Sequence, residues 1–137
     1  MEWTKYVNHA CEPNVAFVIR EGERRGAPRR RHSNDYNVAD TFWSHELRKL
    51  MDEYPGGTPE EISLYSVKDI LPGEQLRFNY AQTEYEDPDL FECNCGSPKC
   101  YGTYHGFAYL NQEQKESLRP LLTPFLRYVL DVQMPKQ

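Results

Sequence analysis

The four cysteines constrain this chain more than any other residues. Three of them, Cys93, Cys95 and Cys100, form a tight C-x-C-x4-C group, and Cys11 stands near the other end of the chain. Thiols separated by one residue pair poorly in a disulfide, whereas Zn²⁺ readily takes four thiolates in a tetrahedral arrangement. The spacing therefore predicts a zinc site. Its fourth ligand is either Cys11 or the nearby His105, since Cys11 could instead be a small buried apolar residue.

Length and composition predict one globular domain. The chain has 137 residues, of which 39% are hydrophobic, and a formal net charge of -5. Its longest uninterrupted apolar run, Val15 to Ile19, is far shorter than the ~20 residues that cross a bilayer. The N-terminus lacks the basic and then apolar pattern of a secretory signal. We therefore expect a reducing intracellular compartment, nuclear or cytoplasmic with the nucleus favoured, where thiols stay available for a metal.

A polar loop is predicted from Glu21 to Asn37, because glycine and proline interrupt regular structure there. It carries a run of arginines: Arg24, Arg25, Arg29, Arg30 and Arg31. Such a run suits a nuclear import signal or a nucleic-acid patch. An acidic chain with a pI of about 5.4 is poorly suited to general phosphate binding, so a solvated loop is the preferred interpretation.

Hydrophobic periodicity predicts short strands. Val15 to Ile19 and Ile62 to Val67 are strand-like in length and β-branched content. A third strand is indicated where Leu76, Phe78 and Tyr80 alternate with polar residues. The acidic segment that follows, from residue 83 to residue 92, is most simply a solvated linker, although it could also attract a basic peptide.

Three helices are predicted. The apolar stripe from Asp40 to Tyr54, which includes Trp43, is helical, with Asp40 or Thr41 as its cap. Asn111 with Gln114 resembles a capping box that opens a second, short helix. Prolines then interrupt the stripe, so a third helix is expected with Thr123 as its cap.

Three separated motifs resemble, in their order along the chain, those of SET-domain lysine methyltransferases. Asn8 to Asn14 (N-H-A-C-E-P-N) resembles the family's N-H-S-C-x-P-N signature. Asp69 to Tyr80 is similar to its I-x-x-G-E-E-L-x-F-D-Y strand, and Phe91 to Gly102 is similar to its post-SET zinc motif, C-x-C-G-x-x-x-C-x-G.

The resemblance implies a mainly β fold with peripheral helices, of the SET type (β-clip with a pseudoknot), and a post-SET zinc lobe. It implies a division into the C-terminal part of a SET domain at 1–82, with an insertion at about 21–60, a zinc module at 91–107 and C-terminal helices at 111–132. Family members begin further upstream, so the fold is expected to be N-terminally incomplete. Uncovered sheet edges would then favour self-association.

The resemblance also implies roles for individual residues. Cys11 would join Cys93, Cys95 and Cys100 on one zinc ion, and Tyr80 would be the catalytic tyrosine. The implied contacts with S-adenosylmethionine are Asn8, His9, Phe78, Tyr104 and Phe107. For His9 the alternative is a buried histidine with satisfied hydrogen bonds, and for Tyr104 and Phe107 it is packing in the core. The chain departs from the family pattern at Ala10, in place of serine, and at Asn79, in place of aspartate.

The function implied is methyl transfer from S-adenosylmethionine to a lysine of a histone or another basic peptide. One alternative is a non-catalytic, zinc-stabilised SET remnant that acts as a protein-interaction module. A nucleic-acid binder that uses the arginine run is the weakest alternative, because of the acidic total.

Overall fold

The computed structural model describes residues 7–22, 44–57 and 59–133. Within these ranges six short strands pair into three two-stranded sheets. The strands are β1 (Asn8–His9), β2 (Val15–Glu21), β3 (Pro59–Ser66), β4 (Arg77–Phe78), β5 (Phe91–Glu92) and β6 (Thr103–Tyr104). The pairs are β1 with β4, which is parallel, β2 with β3, and β5 with β6, both antiparallel.

The two longer strands, β2 and β3, confirm the predictions made from β-branched, apolar runs. β2 continues past its predicted end at Ile19, and β3 begins before its predicted start at Ile62. The third predicted strand is mostly wrong. Only Arg77–Phe78 is strand, and Tyr80–Gln82 forms a 3₁₀ turn that begins with Asn79 as its cap. The alternation of apolar residues failed as a guide because Leu76 is 45% exposed and only Phe78 is buried.

The described part of the chain contains three α-helices, α1 (His45–Glu53), α2 (Gln112–Leu118) and α3 (Pro124–Gln133). The Asn111–Gln114 capping box is present, as predicted. The predicted cap of the first helix is wrong, since Ser44 caps α1 by accepting a hydrogen bond from the Leu47 amide at 3.1 Å. Asp40, Thr41, Trp43 and the arginine run lie outside the described residues.

The larger hydrophobic core brings distant segments together. α1 contributes Leu47 and Leu50, α2 contributes only its last residue, α3 contributes its apolar stripe, and Tyr104 and Phe107 come from the segment after the cysteine group. Tyr54, just after α1, packs edge-on against Phe125, with ring centroids 5.3 Å apart. The predicted insertion and the C-terminal helices therefore share one core with the cysteine-rich region.

A second, smaller core lies under β2. It contains Val7, Val15, Phe17 and Phe78. Gln82 joins the two cores: its side chain is 1% exposed, bonds to both backbone polar groups of Phe17 and donates to the Leu121 carbonyl at 2.6 Å. Because a buried amide must have partners, this residue ties β2 to the start of the C-terminal layer.

The acidic segment after Gln82 is more than a solvated linker. Tyr85 is buried in the larger core, and the backbone carbonyls of Glu84 and Tyr85 accept hydrogen bonds from Phe107 and Ala108. Gly106 makes this approach feasible: its φ is +115°, and an added Cβ would lie 2.6 Å from the Glu86 Cα. The segment therefore helps to hold the cysteine-rich region against the body of the protein.

Candidate active site and metal centre

The Asn8 to Asn14 motif is fixed against β4 by backbone pairing and by one side chain. Residues Asn8 and His9 pair with Arg77 and Phe78. Asn14, which is buried, donates to the Gln75 carbonyl at 2.7 Å and accepts from the Arg77 amide at 2.8 Å. An amide side chain suits this position because it both donates and accepts. The motif is thereby held beside the segment that carries Tyr80.

The four cysteines come together although they are far apart in sequence. Their Sγ atoms all lie within 4.8 Å of one another, and the Sγ atoms of Cys11 and Cys93 are 3.7 Å apart. Zn–S bonds of about 2.3 Å in a tetrahedron place sulfurs about 3.8 Å apart. The donor set and its spacing fit a zinc ion. His105 does not belong to the group; its ring stacks on Tyr109, with centroids 3.6 Å apart.

The thiols of this group differ in how readily they ionise. Burial raises the pKa of Cys11 well above its ordinary value. Burial also opposes ionisation of Cys95, but backbone N–H groups of Cys11 and Ser97, together with the Cys93 and Cys100 thiols, outweigh it and lower the pKa of Cys95 to about 6. Gly96, with a φ of +76°, allows the tight turn between Cys95 and Ser97. A cation at the centre would favour the thiolate form of every member.

A cleft of about 460 Å³ opens beside the cysteine group. Its wall is made by β1, the β4–Tyr80 segment and the chain from β5 to the first cysteines. The lining residues are Asn8, His9, Arg77, Tyr80, Phe91, Glu92, Cys93, Asn94 and Cys95. This volume lies within the range of small-molecule sites, and the lining combines aromatic faces with a few polar groups. The cleft is thus large enough for a small organic ligand.

Tyr80 is half-buried at this cleft. Its hydroxyl donates to the Val7 carbonyl at 3.1 Å, and its ring packs against Phe78 and Phe91. Burial, and then the negative charges of Glu84 and Asp87, raise the pKa of Tyr80. The hydroxyl therefore stays protonated at neutral pH and acts as a hydrogen-bond donor and acceptor rather than as a phenolate.

The imidazole of His9 is buried, and both of its nitrogens have partners. Nδ1 accepts from the Tyr80 amide at 3.0 Å, and Nε2 lies 3.4 Å from the Sγ atom of Cys11. Burial lowers the pKa of His9 to about 4, so the ring is neutral at pH 7. The ring therefore matches the alternative of a buried histidine with satisfied hydrogen bonds, and His9 is also one of the residues that line the cleft.

The other predicted cofactor contacts lie in different places. Asn8 is exposed at the cleft, whereas Phe78 is buried in the smaller core against Phe17. Tyr104 and Phe107 are fully buried in the larger core. Tyr104 packs its ring on His9, with centroids 5.0 Å apart, and donates from its hydroxyl to Glu84. These placements favour the packing role that was left open for Tyr104 and Phe107.

Several cleft residues were not singled out from the sequence. Phe91, two residues before Cys93, is half-buried and lines the cleft, and Arg77 also lines it. For Phe91 the available signal was its position two residues before Cys93. For Asn79 the signal was its departure from the family pattern: the fully buried amide donates to the Cys11 carbonyl at 3.2 Å and to the Tyr101 hydroxyl at 2.7 Å.

Comparison with known proteins agrees with the motifs. The sequence profile of the SET domain matches residues 1–81. Because the match covers more than half of the chain, this protein belongs to the SET-domain family. The predicted relationship is confirmed, and with it the SET-type fold. The pseudoknot and the post-SET zinc lobe stay predictions.

The curated relatives are histone methyltransferases. One is the Neurospora crassa histone-lysine N-methyltransferase, H3 lysine-9 specific dim-5, which is 25% identical over 109 residues, covering 72% of this chain and 24% of the relative. Human histone-lysine N-methyltransferase EHMT1 is 30% identical over 112 residues, which cover 81% of this chain and 6% of the relative. The Saccharomyces cerevisiae H3 lysine-4 specific enzyme is 25% identical over 100 residues, which cover 72% of this chain and 6% of the relative.

The chain thus spans a quarter or less of the length of these relatives. No solved structure matches it. Within the part of the chain that the structure describes, no helix has the length and the apolar composition that crossing a bilayer requires.

Proposed function

We propose that this chain forms the catalytic part of a protein-lysine N-methyltransferase that transfers a methyl group from S-adenosylmethionine to a lysine of a histone or another basic peptide. The observation that carries the proposal is the convergence of Asn8, Tyr80 and the cysteine group on one cleft. Membership of the SET-domain family and similarity to histone-lysine methyltransferases support the same chemistry.

Bound S-adenosylmethionine supplies an electrophilic methyl group on a sulfonium, so the protein mainly has to align two partners and exclude water. We assign the exposed Asn8 amide to the cofactor, because it offers both a donor and an acceptor at the cleft. The Phe91 ring offers an apolar face to a flat base. His9 contributes its backbone rather than its buried ring.

Tyr80 is assigned as the catalytic residue. Its protonated hydroxyl, held near the Val7 carbonyl, can orient an amine by accepting or donating one hydrogen bond. A lysine has an ordinary pKa of about 10.4, so it must lose its proton before it attacks. The half-buried aromatic surroundings of Tyr80 disfavour the charged form of an amine that enters there.

The acidic character of the region suits a basic peptide. Glu92 lines the cleft, and Glu86 and Asp87 lie on the segment that passes next to the cysteine-rich region. With a formal net charge of -5, the chain attracts lysine- and arginine-rich segments at long range. The names of the relatives, which are histone-lysine methyltransferases, support the proposal of a histone tail as the substrate and of the nucleus as the favoured compartment.

Tyr80→Phe tests the catalytic assignment. With the full chain, histone peptides and labelled cofactor, we expect turnover to fall by about 100-fold or more, since one transition-state hydrogen bond is lost. Cofactor affinity, measured by calorimetry, should change less than about threefold, since the phenyl ring keeps the packing. Tyr109→Phe, on an exposed tyrosine, is the matched control.

Retained turnover in Tyr80→Phe would contradict the role of Tyr80. Titration of S-adenosylmethionine into the wild-type chain separates the enzyme from its alternative. Neither heat nor a thermal shift in that titration would favour a non-catalytic, zinc-stabilised interaction module.

We also propose that the cysteine group holds one Zn²⁺ ion with Cys11, Cys93, Cys95 and Cys100 as ligands. One ligand adjoins the cleft motif and three belong to the cysteine-rich segment, so metal binding would join these two parts. Elemental analysis of the purified chain should give one zinc per chain. A purified chain that contains no zinc, and whose melting temperature does not change when zinc is added, would contradict this ligand set.

A further inference from the structure

The ring of His9 lies between Tyr80, the proposed catalytic residue, and Cys11, a proposed zinc ligand. On one side Nδ1 accepts the Tyr80 amide proton, at an N···N distance of 3.0 Å. On the other side Nε2 lies 3.4 Å from the Cys11 Sγ atom. A nitrogen that accepts cannot carry the proton of a neutral imidazole. The proton is therefore on Nε2, and it points to the sulfur.

Packing locks this orientation. The side chain of His9 is 9% exposed, and its ring centroid lies 5.0 Å from that of Tyr104, 5.1 Å from that of Tyr80 and 5.8 Å from that of Phe91. A ring surrounded by aromatic side chains cannot turn without displacing them. Both hydrogen bonds are thus held in place by the same contacts.

At the sulfur end, His9 supplies a donor that the site needs. Cys11 is buried, and its Sγ atom also receives the backbone N–H of Tyr101 at 3.3 Å. A buried thiolate is costly without donors, and donors around a ligand atom orient it and tune metal affinity. The N–H of His9 therefore stabilises the ionised form of Cys11 that a metal ion would bind.

At the other end, His9 satisfies an amide that the backbone leaves open. Tyr80 is the first residue of the 3₁₀ turn Tyr80–Gln82, and an amide in the first turn has no partner within the helix. The cap Asn79 accepts from the Ala81 amide, so it does not serve Tyr80. The position of the Tyr80 backbone thus depends on the His9 ring.

We propose that His9 is a positioning residue that couples the cysteine group to Tyr80, so that metal binding at the sulfurs stiffens the backbone of Tyr80 through the imidazole. This inference deepens the proposed function and rests on it, since it takes the cysteine group as the zinc site and Tyr80 as the catalytic residue. His9 touches neither substrate nor cofactor with its ring.

Two substitutions separate the ends of this link. In the His9→Asn variant, the side-chain oxygen can replace Nδ1 as the acceptor for the Tyr80 amide, but no donor reaches the Cys11 sulfur. The Nε2 atom of His9→Gln can replace the donor to Cys11, but nothing replaces Nδ1. His45→Asn, on an exposed histidine at the start of α1, is the control. Circular dichroism of each full-length variant verifies that it folds.

Zinc affinity of the full chain, measured by competition with a chromogenic chelator, tests the sulfur end. We expect His9→Asn to weaken zinc binding by about 10- to 100-fold, the usual effect of losing a group that supports a metal ligand. His9→Gln and His45→Asn should stay within about threefold of wild type. The His9→Asn effect should vanish when Cys11→Ala is already present, as in any double-mutant cycle on one interaction.

Hydrogen exchange of the Tyr80 amide tests the other end. In the wild-type chain, zinc should slow this exchange by about tenfold or more, the effect of strengthening one hydrogen bond. In His9→Gln zinc should leave it unchanged, although zinc still binds. His9→Ala, which lacks both groups, should lose zinc affinity and the exchange response together.

Equal zinc affinity in His9→Asn and wild type, or a zinc response of the Tyr80 amide that survives in His9→Gln, would overturn the coupling. Neither measurement uses methyl transfer or S-adenosylmethionine. If the wild-type chain binds zinc and transfers methyl groups but the variants do not behave as expected, the coupling role of His9 is refuted and the proposed function stands. A wild-type chain that binds no zinc refutes both the metal site and the coupling.

Discussion

The ribbon of β2 and β3 and the layer of α1 and α3 use their apolar residues in opposite ways. In the ribbon, every residue of β3 except Leu64 is exposed, and Val18, Ile62 and Tyr65 expose 38% or more of their surface. In the helical layer, Leu126 and Leu130 are fully buried with Tyr104 and Phe107. Of these two regions, the helical layer is the one that packs with Tyr104 and Phe107, the aromatic residues that follow the cysteine group.

The difference indicates where the chain is sensitive to change. Tyr80 is packed against both hydrophobic clusters, so the cleft lies where they meet. Stability of the site should depend on the helical layer and the cysteine group, and little on the outer face of the ribbon. Self-association through uncovered sheet edges stays a prediction. The substitutions below test this asymmetry.

Cys95→Ser should have the largest effect. It removes the thiol whose pKa is lowered to about 6 and leaves three sulfurs for the proposed metal. We expect loss of stoichiometric zinc and a fall on the order of 5 kcal/mol in the free energy of unfolding, since binding and folding are coupled. Zinc analysis and urea unfolding measure both. Ser97→Ala is the control within the same loop, and activity lost with zinc retained would mean that the ligand set is different.

Leu126→Ala compared with Val18→Ala tests the two regions directly. Leu126 is fully buried in the helical layer, so its truncation leaves a cavity and should cost about 3 kcal/mol. Val18 is 49% exposed on the ribbon, and its truncation should cost less than about 1 kcal/mol. Urea unfolding of both variants measures the contrast. Equal costs would remove the distinction between the regions.

Asn79→Asp tests the junction. The substitution keeps the shape and the cap on the Ala81 amide, but it removes the donor to Cys11 and Tyr101 and places a carboxylate against the Cys11 carbonyl. We expect a loss of about 2 kcal/mol in the free energy of unfolding at pH 7. Asn111→Asp is the control, because that side chain only accepts from the Gln114 amide. An unchanged urea midpoint would show that the donor is unimportant.

Glu84→Gln should have the smallest effect, visible as a change in pH dependence. Burial raises the pKa of Glu84 to about 7, against an ordinary value of 4.5. The folded state therefore binds the proton more tightly than the unfolded state, and this contribution to stability is lost as pH rises from 4.5 through 7. Melting temperatures between pH 5 and pH 8 should fall more steeply for wild type than for Glu84→Gln. The exposed Glu12→Gln should follow wild type, and parallel curves for all three would exclude the effect.

Local patterns predicted the elements that depend on near neighbours. The capping box at Asn111, the strand that begins at Val15 and the buried stripe of α3 all follow from residues within a few positions of one another. The start of α1 was missed because Ser44 competes with earlier capping residues. The strand through Tyr80 was overestimated, because the Asn79 side chain caps a 3₁₀ turn instead.

The sequence alone determined which chemical groups are present and the family to which they belong: four thiols, a tyrosine hydroxyl, and an N-H-A-C motif in a fixed order along the chain. Only the tertiary structure decided that Cys11 rather than His105 joins the cysteine trio, and that Tyr104 and Phe107 pack in the core. The reason is physical. Periodicity specifies which side of an element is apolar, whereas the distance between residues remote in sequence depends on how all the elements pack together.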